Sequence, residues 1–218
     1  MSKLLYVVAH PLDKERSYSL AMGNSFINTY KEHSPEDEIV ELNLYNEYIP
    51  EIDADVLEGW GHLRSGGTFE ELTSQQQSKL SRIEELTEQF IAADKYVFVS
   101  PMWNFTIPAR FKAYLDTVLI ARKTFTYTEN GPVGLMTGKK AVHLQSRGNI
   151  YSAGPMKEAE HADTLLKTCL DLMGIELETI VAEGHALQPD DADKIKQQAI
   201  EKAVLSAEQL AKEMVLNK

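Results

Sequence analysis

Three short stretches of this chain carry side chains that could grip a ligand. The first, H-P-L-D-K-E-R-S-Y-S at residues 10–19, contains no glycine. It therefore cannot be a G-x-G-x-x-G dinucleotide turn or a G-x-x-x-x-G-K-[ST] phosphate loop, both of which need glycine for close backbone approach. It offers hydroxyls instead: Ser17 and Ser19 stand where a helix should begin, and free N–H groups there, reinforced by the helix dipole, can hold a phosphate dianion. Ser17 reads equally as a plain N-cap. The second stretch, P-M-W-N-F at Pro101 to Phe105, places Met102, Trp103 and Phe105 around Asn104 just beyond an apolar run. Apolar side chains for the faces and backbone amides for the rim suit a large planar heterocycle such as an isoalloxazine ring. Aromatic residues at a strand end also read as core. The third, S-R-G-N at Ser146, Arg147, Gly148 and Asn149, has a glycine that permits a positive φ and an arginine that could set positive charge beside a ring edge. A solvated loop with a surface arginine is the plain alternative.

The elements that must position these stretches alternate in period. Residues 3–10, K-L-L-Y-V-V-A-H, form a short apolar run of the kind buried on both faces of a parallel sheet. From Ser17 the spacing becomes helical, with Met22, Phe26 and Tyr30 four apart beside Gly23 and Ile27, and with Asn24, Asn28 and Lys31 on the opposite face. I-V-E-L-N-L follows as a second strand, and Leu80, Ile83, Leu86 and Phe90 mark a helix over about 78–93 that leads into the strand K-Y-V-F-V-S. Pro108 suits the first turn of the next helix. K-K-A-V-H-L-Q-S reads as a fourth strand, 156–173 as a helix stopped by Gly174, E-L-E-T-I-V-A-E-G as a fifth strand, and about Pro189 to Val215 as a last helix. Residues 45–77 are the least readable part, either an elaborated loop or several short helical turns. Right-handed crossovers between such strands predict an α/β three-layer sandwich in one domain, with about five parallel strands; the doubly wound order 2-1-3-4-5 is the arrangement taken for them. Its binding crevice lies at the carboxyl ends of the first and third strands, where all three stretches converge.

Composition excludes several classes. The 218 residues carry a formal net charge of −11, which argues against a phosphate-backbone grip on nucleic acid. The single cysteine, Cys169, rules out a disulfide within the chain and reads as packing in a cytoplasmic protein. No apolar stretch is long enough for a membrane span, and the N-terminus lacks the parts of a signal peptide. The six histidines show no metal-ligand spacing, and His143 reads as a core or interlayer residue. A hydrolase built on Ser17, His10 and Asp13 is a weaker reading, because no G-x-S-x-G elbow surrounds the serine.

At these residues the sequence resembles the bacterial FMN-dependent NADH:azoreductases, which are also quinone reductases of flavodoxin-like fold. The likeness spans nearly the whole chain and is strongest in P-M-W-N-F-T-I-P-A-R-F-K-A-Y-L-D, K-T-F-T-Y-T-E-N-G-P-V-G-L-M-T-G-K-K-A and S-R-G. It implies that Ser17, Tyr18 and Ser19 bind the FMN phosphate, that Pro101 to Phe105 bind the flavin ring, and that Ser146 to Asn149 form the next wall. Family members commonly carry Tyr where Trp103 stands and a second Gly where Asn149 stands. The A-H-P at residues 9–11 is similar to the start of the larger two-electron quinone reductases, which adds His10 to the cofactor-binding set. The resemblance further implies a homodimer whose active sites draw on both chains, with Phe105, Phe125 and Tyr127 facing flavin, substrate and partner. NADH would pass hydride to the flavin, and a quinone or aromatic azo compound would then take its place in a ping-pong cycle. No protein group is singled out as a catalytic acid. A flavodoxin-like electron carrier without NADH turnover is the rival that shares the fold.

Overall fold

The computed structural model describes residues 1–213. Lys3–Val8 (β1) is the second strand of a five-stranded parallel sheet, and its apolar run is buried because helices cover both faces. Tyr18–His33 (α1) follows, capped by Ser17 and burying Met22, Gly23, Phe26, Ile27 and Tyr30, as the four-residue spacing predicts. Glu38–Asn43 (β2) pairs with β1 on one side, Leu5 opposite Val40. Lys95–Pro101 (β3) pairs with β1 on the other and is buried throughout.

The segment after β2 is helical: Ala54–Arg64 (α2), a 3-10 turn at Phe69–Glu71, and Ser74–Ala92 (α3), which starts before the expected position near 78. Thr73 and Gln76 close a capping box there, and that exposed polar first turn is why hydrophobic spacing places the start too late. α2 and α3 share a small core of Val56, Leu72, Leu80 and Ile83.

Ala109–Val118 (α4) follows Pro108. Then comes a hairpin that the sequence reading leaves unassigned, Phe125–Thr128 (β4) and Gly131–Gly134 (β5). Its signal is the N-G pair at Asn130 and Gly131, with Gly131 at φ +108. A Cβ on Gly134 would sit 2.3 Å from the backbone of Met173, so glycine lets this hairpin close on the helix beyond it. Lys140–Arg147 (β6), Ala162–Met173 (α5), Glu176–Glu183 (β7) and Ala192–Lys212 (α6) complete the order. α5 stops at Gly174, which is left-handed at φ 83. The part of the last helix expected beyond residue 213 lies outside the described residues.

The sheet order is β2-β1-β3-β6-β7, so β6 and β7 are the fourth and fifth strands of the expected 2-1-3-4-5 arrangement. One apolar layer, including Phe98, Phe111, Leu115, Leu166 and Leu170, lies under α3, α4 and α5. The other, including Met22, Phe26, Val97, Leu144 and Ala203, lies under α1 and α6. Cys169 is buried in the first layer, where burial raises its thiol pKa. Among the described residues no helix is long and apolar enough to cross a membrane.

Candidate functional site

At the carboxyl end of β1 the chain turns into α1 through residues 9–17. Ser17 has extended backbone and its Oγ accepts the Leu20 N–H at 3.4 Å, while 3.1 Å separates it from Ser19 Oγ. Both hydroxyls are buried. Ser17, Tyr18 and Ser19 have N–H groups with no acceptor among the described residues. Three consecutive free donors at the positive end of a 16-residue helix make an anion cradle that uses no glycine and no lysine. The capping and phosphate readings of Ser17 are thus compatible. The Tyr18 side chain turns away and stacks on His185 at 4.1 Å, with Lys196 over the ring, so the loop's own contribution at Tyr18 is its N–H.

The loop after β3 is tied to β6 by the Met102 N–H, which donates to the Ser146 carbonyl at 2.8 Å. Trp103 and Thr106 exchange N–H···O bonds of 2.9 and 3.1 Å around a two-residue turn. Its central residues, Asn104 and Phe105, both have positive φ, 47° and 72°, the sign pattern of a type I′ turn. Asparagine tolerates that region, whereas phenylalanine there is strained. The turn leaves the Asn104 and Phe105 N–H groups without a protein acceptor among the described residues and exposes nearly half of the Phe105 side chain. Trp103 stands beside His10 at 5.8 Å and meets Tyr45 edge-on at 6.5 Å, with the Arg110 guanidinium over Tyr45. The His10 Nδ1 accepts the Leu12 N–H at 3.0 Å, which puts the proton of the neutral ring on Nε2; burial lowers its pKa and favours that neutral form.

The third loop differs from expectation in two ways. Neither Gly148 nor Asn149 has positive φ. Glycine at 148 instead permits a close approach, because a Cβ would lie 3.3 Å from that of Ala186, whose N–H donates to the Gly148 carbonyl. Asn149 fits without left-handed backbone, and its Oδ1 accepts the Ile150 N–H at 2.7 Å. Arg147 is neither a surface residue nor a free charge. Only 5% exposed, its guanidinium lies 3.4 Å from Glu160 and 3.7 Å from Glu183, and its Nε donates to Gln145. Two carboxylates cancel its field, so this loop can offer a ligand the Gly148 and Asn149 N–H groups, which have no acceptor among the described residues, but not the arginine's charge.

The Phe125 ring is buried within this chain and meets Tyr127, which is 73% exposed, edge-on at 5.5 Å, so it braces the more exposed ring. Ser17 has no bond to His10 among the described residues, and the weaker hydrolase reading finds no nucleophile–base pair. The loop after β7 was absent from the sequence reading. Gly184 donates to the Arg147 and Asn149 carbonyls, which brings His185 against Tyr18 at the serine cradle. Its position past a strand's carboxyl end was the signal available.

The cradle is polar and rich in free donors; the Trp103–Thr106 turn beside it is apolar on its faces and carries free donors on its rim. Together they fit a phosphorylated molecule with a flat heterocyclic head. The family model described as flavodoxin-like fold matches residues 2–205. An FMN-dependent NADH:quinone oxidoreductase of Geobacillus kaustophilus is 53% identical over 204 residues, covering 93% of this chain and 97% of that protein. FMN-dependent NADH:quinone oxidoreductase 2 of Bacillus subtilis is 51% identical over the same shares. The crystal structure of an FMN-dependent NADH-azoreductase from Bacillus anthracis in complex with FMN superposes with a TM-score of 0.91 at 35% identity, covering 97% of this chain and 100% of that one. The chain therefore belongs to the flavodoxin-like fold family and, within it, to the FMN-dependent NADH:quinone oxidoreductases and azoreductases.

Proposed function

We propose that this protein is an FMN-dependent NADH oxidoreductase that reduces quinones and reductively cleaves aromatic azo compounds in a ping-pong cycle. The observation that carries the reading is the pairing, at one sheet edge, of the serine cradle with a strained aromatic turn whose N–H groups are free. The relatives named above support the cofactor and both substrate classes.

Ser17, Tyr18 and Ser19 hold the FMN phosphate through their N–H groups and the two hydroxyls. Pro101 to Phe105 hold the ring, with His10 behind Trp103, and the Ser146 to Asn149 loop closes the neighbouring side. Bound FMN would supply the hydride chemistry, two electrons per NADH, so that a quinone needs one round and full cleavage of an azo bond, a four-electron reduction, needs two. The chain's share is orientation: Phe105 and Trp103 present flat apolar walls to whichever planar substrate occupies the slot, and Tyr127 offers a further exposed ring.

The protein works as a cytoplasmic homodimer, folded as one flavodoxin-like domain per chain, with each site completed by the partner. Tyr127 and Val133 on the hairpin and Leu135 just after it are exposed, and Ile52, Trp60, Leu63, Leu119 and Ile120, together with Arg64, Asp116 and Arg122, line a groove of about 680 Å³. A second copy covering these surfaces removes apolar area from water.

Titrating the purified protein with FMN should quench flavin fluorescence to a one-to-one endpoint, and the loaded protein should oxidise NADH when a soluble quinone is present. FMN binding without NADH oxidation would make it an electron carrier; no FMN binding would remove the proposed function altogether.

A further inference from the structure

We propose that the first turn of α5 is a clamp that holds the Asn104–Phe105 turn in its left-handed conformation, acting through the hydrogen-bond chain Ser100–His143–Asp163–Thr179. The inference rests on the flavin site proposed above for its functional meaning, though not for its geometry.

A phenylalanine at φ 72 persists only where its surroundings over-determine it. The two bonds between Trp103 and Thr106 are local. The tertiary bond on the turn runs from the His161 N–H to the Phe105 carbonyl at 2.9 Å. His161 is the N-cap of α5, so the place where α5 begins decides where that donor lies.

Two ties fix the beginning of α5. The Glu160 carboxylate accepts the N–H groups of Ala162, Asp163 and Thr164 at 2.9, 2.8 and 3.2 Å while pairing with Arg147. Asp163 in turn lies 3.4 Å from His143 Nδ1 and accepts the Thr179 hydroxyl. An ionised carboxylate can only accept, so Nδ1 carries the proton of the neutral His143, and Nε2 accepts from Ser100 Oγ at 2.9 Å. Ser100 and His143 are fully buried.

Two contacts link this arrangement to the loop: Ser100 immediately precedes Pro101, where the loop leaves β3, and the N–H of His161, two residues before Asp163, bonds to Phe105 at the loop's tip. Both ends of the loop are thus referred to one helical turn. Asp163, His143 and Ser100 are positioning residues in this arrangement, and Arg147 joins them through Glu160 instead of acting on the flavin by its charge.

The test compares wild type with Asp163→Ala, Asp163→Asn and Ser100→Ala, using hydrogen exchange on the FMN-free protein and fluorescence titration with FMN. In Asp163→Ala the Trp103 and Thr106 amides should exchange about tenfold faster and the FMN Kd should rise about tenfold. Asp163→Asn keeps an acceptor oxygen and should stay within about threefold of wild type. Ser100→Ala should move both readouts in the same direction by less, and it decides the matter if Asp163→Ala does not fold. Unchanged exchange at Trp103 and Thr106, or acceleration spread evenly over every strand, would overturn the clamp. Wild type that binds no FMN would remove the proposed function and leave the exchange result to judge the clamp alone.

Discussion

The two ends of the parallel sheet solve opposite problems with the same kinds of residue. At the amino end, Lys95 is 1% exposed yet surrounded by partners: Nζ lies 3.2 Å from the Tyr30 hydroxyl and 3.8 Å from Asp37. Tyr30 donates to Asp37 at 2.8 Å, and the Ser2 N–H reaches the other oxygen of the same carboxylate. Asp94 closes a second link with the Lys3 N–H and carbonyl. At the carboxyl end, backbone donors at Ser17 to Ser19, Asn104, Phe105, Gly148 and Asn149 lack acceptors among the described residues, Gln145 Nε2 is buried without a partner, and two non-glycine residues have positive φ. The Lys95–Tyr30–Asp37 cluster is satisfied, whereas the carboxyl edge is left with spare backbone donors. A ligand can repay unsatisfied donors only where they exist, and the closed edge supplies stability that the open one forgoes.

Breaking the closed edge should have the largest effect. Asp37→Ala leaves a buried lysine without its counter-charge and should cost about 3 kcal/mol or more in urea unfolding. FMN affinity at the far end should hold within about twofold, since distant sites are nearly additive. An equal loss of affinity would show that the two edges are not independent. Ser17→Ala combined with Ser19→Ala attacks the open edge: FMN affinity should fall by about tenfold or more, against an N-cap loss of about 1 kcal/mol in stability. Fluorescence titration beside urea unfolding separates the two.

Phe105→Gly sharpens the contrast, because it relieves strain where strain is proposed to serve function. Apoprotein stability should rise by about 1 kcal/mol, while loss of the aromatic wall lowers quinone turnover. A variant no more stable than wild type would mean that the turn stores little. The smallest effect is on pH. Burial holds the His143 pKa below its usual 6.5 despite the neighbouring Asp163, and burial also lowers that of His185. The unfolded chain therefore binds more protons below about pH 6.5, and stability falls as pH drops through that region toward the folded-state values. Thermal melts from pH 7.5 to 5.5 should show this decline, and it should be shallower in His143→Gln.

Period was a faithful guide to the sheet. The five parallel strands and the burial of Met22, Phe26 and Tyr30 follow from alternation and four-residue spacing, because apolar periodicity reports which face must leave water. It failed where polar capping, not burial, starts an element, as at Ser74, and where a hairpin has exposed strands, as at Tyr127 and Val133. In the candidate site, the serine cradle and the aromatic turn were legible because each is local: a helix start in one case, a strand end in the other. The partners of Arg147 were not, since Glu160 and Glu183 stand 13 and 36 residues away and nothing in S-R-G-N announces them. The inward turn of Phe125 and the stack of Tyr18 on His185 were hidden for the same reason.

By itself the sequence determined the alternation of strands and helices, the parallel pairing to which right-handed crossovers lead, and the residue types delivered to the carboxyl edge. Those are consequences of local periodicity and chain connectivity. Tertiary structure decided which charges are free and which are cancelled, which aromatic rings face outward, and what holds Phe105 in a conformation that it would not choose alone. Such outcomes depend on electrostatic and steric neighbours brought together only when separate layers pack, as when Asp163 of α5 meets His143 of β6.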